Sequence, residues 1–122
     1  MTEKIQFKIL KFAGEPKPYN KGSSIFKKGD PGDSLFVVTH GEVDIVADGK
    51  VIDHLVDGEM FGEMAMIDKV ERSADAIASI DCEIVQIDEA RFNYMVKNNP
   101  EFAMDVIRMV STRLRAQMAD QG

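Results

Sequence analysis

Residue types suited to binding a small organic anion cluster between positions 61 and 74 of the chain. Gly62 and the acid Glu63 open this stretch, and an arginine and a hydroxyl, Arg72 and Ser73, follow a short apolar run. A planar guanidinium can donate two parallel hydrogen bonds to two phosphate oxygens. An ionised carboxylate only accepts hydrogen bonds, so Glu63 suits a donor such as a sugar hydroxyl. Together these side chains predict a site for a sugar phosphate.

The backbone around Gly62 strengthens this prediction. Glycine permits a tight turn and lets a ligand approach the main chain closely. We predict that Glu63 begins a short helix, because an apolar run of helical character follows it. The first N–H groups of a helix lack intrahelical partners and carry partial positive charge. A phosphate could therefore bind there without any side chain.

The whole stretch resembles the phosphate-binding cassette of cyclic nucleotide-binding domains, which occur in catabolite-activator-like regulators, protein kinase A regulatory subunits and cyclic nucleotide-gated channels. The resemblance implies that Glu63 binds the ribose 2′-hydroxyl and that Arg72 binds the cyclic phosphate. It also implies that the rest of the cassette contacts the ligand, namely Phe61, Gly62, Met64, Ala65, Ser73 and Ala74. Arg113 and Gln117, near the chain end, are candidate purine contacts.

The resemblance covers roughly residues 18–119. Residues 25–38 look like the first strands of the family with their Gly-Asp turn, and Gly41-Glu42-Val43 matches the next turn. Asn99-Pro100 looks like the break between two closing helices. One departure is Glu71, which stands where many members of the family have a proline before the arginine.

Turn signals and short apolar runs alternate over the first two thirds of the chain. The turn signals are Lys21-Gly22, Gly29-Asp30-Pro31-Gly32, His40-Gly41, Asp48-Gly49 and Asp57-Gly58. This pattern is typical of antiparallel β structure. We predict a mainly β fold with C-terminal helices: a double-stranded β-helix, which is a jelly-roll-like antiparallel barrel, with a short cassette helix and two closing helices. We expect one domain over residues 1–122, with the barrel at about 5–88 and the closing helices at about 89–119.

Several details of these elements can be predicted. Alternating Ile5, Phe7 and Ile9 favour a strand over a helix at the N-terminus. Asp48-Gly49 predicts a hairpin. Closing it with two residues would set Asp44 opposite Asp53, an unfavourable pair of like charges, so a longer loop is the alternative. A strand that begins at Arg72-Ser73 is expected to turn small residues inward and to line the ligand cavity, with Ala74, Ala76 and Ala78.

The last third of the chain has helical spacing. We predict that Asp88 caps a helix through about Lys97 and that Asn99-Pro100 starts the next helix. One polar stripe runs along this second helix, formed by Glu101, Asp105, Arg108, Thr112 and Arg115. Its remaining surface is largely apolar and wider than one contact surface needs. We expect the helix to pack on its own barrel and also on a second copy or a partner protein, or to cap the ligand.

Composition narrows the class of protein. The net charge of −6 disfavours a nucleic-acid or acidic-membrane surface. The lone Cys82 fits a reducing compartment, and no apolar run approaches the ~18 residues that cross a bilayer. His40 and His54 lack further ligands at metal spacing. We expect a cytoplasmic protein with no metal, no cofactor and no catalytic residues.

The predicted function is that of a sensor for a cyclic nucleotide, with cyclic AMP ahead of cyclic GMP because Ser73 beside the phosphate favours adenine by resemblance. A metal enzyme on a cupin-like barrel is one alternative, but it would need clustered histidines. A second alternative is a degenerate barrel that serves assembly without nucleotide. The chain ends at Gly122 without the helix-turn-helix of the family's transcription factors, so direct DNA binding is not expected unless the chain is a fragment of a longer regulator.

Overall fold

The computed structural model describes Leu10 and residues 13–121, and the side chains of 119–121 are not described. The described chain forms eight strands and then two long helices, with a short helix between the sixth and seventh strands. The strands are β1 (Lys17–Tyr19), β2 (Ser24–Phe26), β3 (Ser34–His40), β4 (Val43–Ala47), β5 (Lys50–Leu55), β6 (Met60–Phe61), β7 (Asp75–Ala78) and β8 (Cys82–Asp88). The helices are α1 (Glu63–Asp68), α2 (Glu89–Asn98) and α3 (Pro100–Gln121).

The strands form two antiparallel four-stranded sheets, ordered β1-β8-β3-β6 and β2-β7-β4-β5. This confirms the predicted jelly-roll-like fold with its cassette helix and closing helices. Within the part of the chain that the structure describes, the two sheets are not hydrogen-bonded into one closed barrel.

Strand β3 is buried on both faces, which explains its uninterrupted apolar sequence. Successive side chains of a strand point to opposite faces. Phe36 and Val38 therefore join the core between the sheets. Leu35 and Val37 join a second core, which also contains Met95, Phe102, Val106 and Met109 of the long helices. The helices thus pack on the outer face of the first sheet.

The β4–β5 hairpin closes with two residues, but its register differs from the prediction. Asp48 and Gly49 both have positive φ, as a two-residue hairpin turn requires. A β-bulge between Ile45 and Val46 then shifts the pairing. Asp44 consequently faces His54, and Asp53 faces Ile45. The turn has two residues, but the unfavourable Asp44–Asp53 pair does not form, because the bulge, and not the longer loop considered as the alternative, separates the two charges.

The predicted starts of the two long helices are confirmed. The Asp88 side chain accepts a hydrogen bond from the Arg91 N–H at 2.8 Å, and α3 begins at Pro100 after Asn99. The polar stripe of α3 needs one correction, because Asp105 is only 8% exposed. It lies beside Val106 and within one turn of Phe102, which are both in the buried core.

Two other expectations concern strand positions. Ala74, Ala76 and Ala78 are buried, as predicted, but strand β7 begins at Asp75 and not at Arg72. The main chain of Arg72 instead bonds to Gly29 and Asp30, and a bend at Ser73 and Ala74 leads into the strand. The strand expected at Ile5, Phe7 and Ile9 lies outside the described residues.

Candidate functional site

Gly62 joins strand β6 to helix α1 in a conformation that favours glycine, with φ at 78°. A Cβ atom at this position would lie 2.8 Å from Nη1 of Arg72 and 3.2 Å from the ring of Phe26. Gly62 is the N-cap residue of α1 and, as a glycine, has no side chain with which to cap it. The first N–H groups of the helix are therefore not satisfied by a capping side chain.

Arg72 is 3% exposed and is held by main-chain carbonyl groups. Its Nη1 donates to the Gly62 carbonyl oxygen at 2.6 Å, and its Nη2 donates to the Ser34 carbonyl oxygen at 2.5 Å. The guanidinium carbon lies 4.2 Å from the centre of the Phe26 ring. Its Nε is buried and has no hydrogen-bond partner among the described residues.

The electrostatic environment of Arg72 is unusual for an arginine. Burial lowers the pKa of its guanidinium, and the negative charges of Asp33, Asp30 and Glu63 oppose this effect without cancelling it. No salt bridge to Arg72 occurs among the residues that the structure describes. Burying a charged group whose hydrogen bonds go to neutral carbonyl groups costs free energy. An anion beside the Arg72 guanidinium would therefore form a strong, charge-assisted interaction.

Glu63 is 3% exposed, and its charge is paired with a residue far away in the sequence. Nη1 of Arg113, on helix α3, donates to Oε1 of Glu63. Nη2 of the same guanidinium donates to the carbonyl oxygen of Met60, the first residue of β6. The last helix is thus attached to the strand–helix junction that contains Gly62.

A cavity of about 220 Å³ lies in front of these side chains. Its walls contain every residue that the resemblance assigned to the cassette, together with the candidate purine contact Arg113. The lining cassette residues are Phe61, Gly62, Glu63, Met64, Ala65, Arg72, Ser73 and Ala74.

A second cavity of about 190 Å³ lies between the cassette helix and α3. Glu63, Met64 and Arg113 line both cavities, so they form the wall between them. Val110, Leu114 and Gln117 complete the second cavity. The other candidate purine contact, Gln117, therefore lines only this second space.

Sequence reasoning missed four residues that line the first cavity: Phe26, Ile45, Asp53 and Leu55. They come from β2, β4 and β5, on the sheet opposite the cassette. The alternation of Asp53 and Leu55 along β5 could have indicated that they share a face. The sequence does not reveal the bulge in the hairpin, however, and it gives no sign that this face of β5 meets the cassette.

Among the described residues, no group of three histidine, cysteine or acidic side chains could hold a metal ion. No helix in the same part of the chain is both long and apolar enough to cross a membrane.

Comparisons with known proteins agree with this geometry. The family model of the cyclic nucleotide-binding domain matches residues 16–99, so the chain belongs to this family. The Cyclic AMP receptor protein of Thermus thermophilus is 31% identical over 102 residues, which are 80% of this chain and 47% of that protein. The chain thus spans about half the length of this curated relative.

Solved structures show the same fold. The Thermus thermophilus catabolite activator protein aligns with a TM-score of 0.82 and 27% identity, over 96% of this chain and 59% of that one. A structure described as "A cyclic-GMP-dependent signalling pathway regulates bacterial phytopathogenesis" aligns with a TM-score of 0.79 and 25% identity, over 93% of this chain and 97% of that one. The protein is therefore a cyclic nucleotide-binding domain, homologous to cyclic AMP-binding regulators.

Proposed function

We propose that this single domain is a non-enzymatic sensor that holds a cyclic nucleotide in the 220 Å³ cavity, with cyclic AMP preferred over cyclic GMP. The phosphate would bind Arg72 and the uncapped start of α1. The ribose 2′-hydroxyl would donate to Glu63. The rest of the cassette would enclose both groups.

The observation that carries this proposal is the buried guanidinium of Arg72, whose hydrogen bonds go to main-chain carbonyl groups. Its side chain is held by two carbonyl groups and by the Phe26 ring, so the protein itself sets the position of the guanidinium. A cyclic phosphate carries one negative charge and no hydrogen-bond donor. It therefore suits the part of the site where Arg72 and the start of α1 present N–H donors.

The preference for adenine rests on Ser73, which lines the cavity. The relative that is named for cyclic AMP and the structure that is described with cyclic GMP are similarly distant from this chain, at 31% and 25% identity. Cyclic GMP therefore stays the second candidate ligand.

We also propose that the signal leaves through the C-terminal helices. The Arg113 bonds attach α3 to the cassette, so a shift of the cassette on ligand binding would be felt by that helix. A ligand moves such an equilibrium only if its affinity differs between the two arrangements. The proposed receiver of the signal is a second copy of the chain or a partner protein on α3, and not DNA.

Isothermal titration calorimetry of the parent and of Arg72→Ala tests the phosphate assignment. Loss of a buried charge-assisted partner costs about 2–5 kcal/mol, which is about 30-fold to several thousand-fold in affinity. Arg115→Ala is the matched control, because it removes the same charge from an exposed position. Arg72→Lys keeps the charge but not the two-nitrogen geometry, so it should bind weakly even if Arg72→Ala fails to fold.

Parallel titrations with cyclic AMP, cyclic GMP and linear AMP measure the ligand preference. We expect the order of affinity to be cyclic AMP, cyclic GMP and then linear AMP. Equal affinity of the parent and Arg72→Lys for cyclic AMP would contradict the role of Arg72. A parent that binds neither cyclic nucleotide would favour the alternative of an assembly domain.

A further inference from the structure

We propose that Phe26 is a positioning residue for Arg72, because its ring holds the guanidinium in the orientation that receives the phosphate. This inference rests on the proposed function. Phe26 is the last residue of β2, in the sheet opposite the cassette, and it pairs with Ala76 of β7. It lines the first cavity, although it is distant in sequence from the cassette.

The Phe26 ring lies against the guanidinium of Arg72. The guanidinium carbon is 4.2 Å from the centre of this ring and 5.6 Å from the centre of the Phe36 ring. A cation this close to the face of an aromatic ring is attracted by the negative charge of that face. The same charge repels an anion. A phosphate is therefore directed to the side of Arg72 that faces away from Phe26.

Two hydrogen bonds and the ring together fix the guanidinium. Nη1 donates to the Gly62 carbonyl oxygen, and Nη2 donates to the Ser34 carbonyl oxygen. These two bonds alone would let the planar group tilt about the line that joins the two nitrogens, and the ring opposes this tilt. An arginine side chain has five N–H donors. The remaining donors can therefore bind phosphate oxygens while this support stays in place.

The position of the Phe26 ring is itself set by the protein core. Its centre lies 5.8 Å from that of Phe36 and 6.1 Å from that of Phe61, within the range of favourable aromatic contacts. Phe36 and Phe61 are both buried. A Cβ atom at Gly62 would lie 3.2 Å from the Phe26 ring, so the lack of a side chain there leaves space for the ring.

An aromatic ring suits this position better than an acid. Burial lowers the pKa of the Arg72 guanidinium, and a cation–π contact is stronger where water is excluded. Phe26 therefore stabilises the charged form of Arg72 that phosphate binding requires. A carboxylate in its place would also stabilise that charge, but it would repel the phosphate.

Two measurements on Phe26→Leu test this role. Without the ring, Arg72 has more freedom that binding has to remove, and ordering one such side chain corresponds to roughly 2- to 12-fold in affinity. Calorimetry should show cyclic AMP binding weakened by a factor in this range. By NMR without nucleotide, the Nε–H proton of Arg72 should resonate upfield in the parent because of the Phe26 ring current. The variant should lose this shift.

Phe26→Tyr and Phe92→Leu are the controls. Phe26→Tyr keeps the aromatic face, so it should retain both the affinity and the upfield shift. Phe92→Leu makes the same change at another half-buried phenylalanine, which packs on Phe102, and it should leave both measurements unchanged. Arg72→Lys identifies the Arg72 resonance. Phe26→Met replaces Phe26→Leu if the leucine variant does not fold.

Two results would overturn the inference. If Phe26→Leu weakens cyclic AMP binding but leaves the Arg72 resonance in place, the ring contacts the ligand directly and does not act through Arg72. If Phe26→Leu binds cyclic AMP as tightly as the parent, the ring has no positioning role. Failure of the proposed function is distinguishable, because the parent itself would then bind no cyclic nucleotide.

Discussion

Arg72 and Glu63 bring opposite charges to one cavity, although each side chain is almost completely buried. Their surroundings differ in one respect. Glu63 has a cation within hydrogen-bond reach, in Arg113, whereas the hydrogen bonds of Arg72 go to neutral carbonyl groups. A guanidinium whose hydrogen bonds go to neutral groups can gain a further partner of opposite charge, so Arg72 is the side chain of this site best suited to an anion.

The protonation of His54 depends on two acidic neighbours. Its Nδ1 lies 2.6 Å from Asp44 and its Nε2 lies 2.6 Å from Glu42. These hydrogen bonds, first that to Asp44 and then that to Glu42, raise the pKa of the imidazole. A group whose pKa is raised on folding stabilises the fold fully below its unfolded value, which is about 6.5 for histidine.

We therefore predict that His54 makes stability depend on pH. Its contribution should be present below pH 6.5 and should disappear as the pH rises through the folded-state pKa of His54. Thermal unfolding of the parent and of His54→Gln between pH 5.5 and 9 measures this effect. The parent should be the more stable protein at pH 5.5, and the difference should shrink at higher pH.

Asp44→Asn is the control for the cause of this effect. It removes the largest contribution to the raised pKa, so the NMR titration midpoint of His54 should fall towards the ordinary value. A stability difference between parent and His54→Gln that is constant over the whole pH range would contradict the assignment.

At the scale of elements, local signals in the sequence predicted most of the fold. Asp88 and Asn99-Pro100 set helix boundaries through short-range bonds, and Asp48-Gly49 set a turn through backbone conformation alone. The bulge in the β4–β5 hairpin was not predictable in this way. Strand β4 pairs with β7 in unbroken register, so the extra residue of the bulge, Ile52, lies in β5, where no turn or capping signal marks it.

The candidate site also combines features that local sequence patterns predict with features that depend on residues distant in sequence. The cassette is contiguous in sequence, so its residues were predicted together, and they do line one cavity. Asp53 and Phe26 enter that cavity only because a second sheet faces it. The pairing of Arg113 with Glu63 joins residues 50 positions apart, and no local pattern indicates such a partner.

The end of helix α1 offers a test of backbone strain. Lys69 adopts a left-handed conformation with φ at 56°, which costs about 1 kcal/mol or more for a residue with a Cβ atom. Its Nζ also lies 3.7 Å from Glu89 in an exposed ion pair, which contributes little. We predict that Lys69→Gly is more stable than Lys69→Ala by about 1 kcal/mol, although both lose the ion pair.

Urea unfolding of the two variants measures this difference. Lys69→Ala should be slightly less stable than the parent, since it keeps the strained conformation and loses the ion pair. If Lys69→Ala has the same free energy of unfolding as Lys69→Gly, the left-handed conformation of residue 69 does not destabilise the protein.

At the scale of the whole molecule, helix α3 has two apolar faces. Phe102, Val106 and Met109 are buried against the first sheet. A second stripe points to solvent, and its apolar members Met104, Ile107, Leu114 and Met118 are 45%, 58%, 55% and 62% exposed. With Ser111 at its centre, the stripe follows the alternating spacing of three and four residues that is typical of coiled coils.

This stripe supports the proposal that a second copy of the chain packs on α3, and it gives a matched pair of variants. Ile107→Glu would bring two carboxylates together where the stripes of two copies meet, so it should convert a dimer into monomers. Ala116→Glu adds the same charge at an exposed position outside the stripe and should leave the dimer intact.

Sedimentation velocity distinguishes these states. A parent that is monomeric at about 100 μM would instead assign the stripe to a different partner protein. If both variants dissociate equally, net charge and not the stripe governs assembly. Leu114 of the stripe lines the second cavity, whose wall of Glu63, Met64 and Arg113 also borders the proposed ligand cavity. Cyclic AMP should therefore change the dissociation constant of the parent dimer.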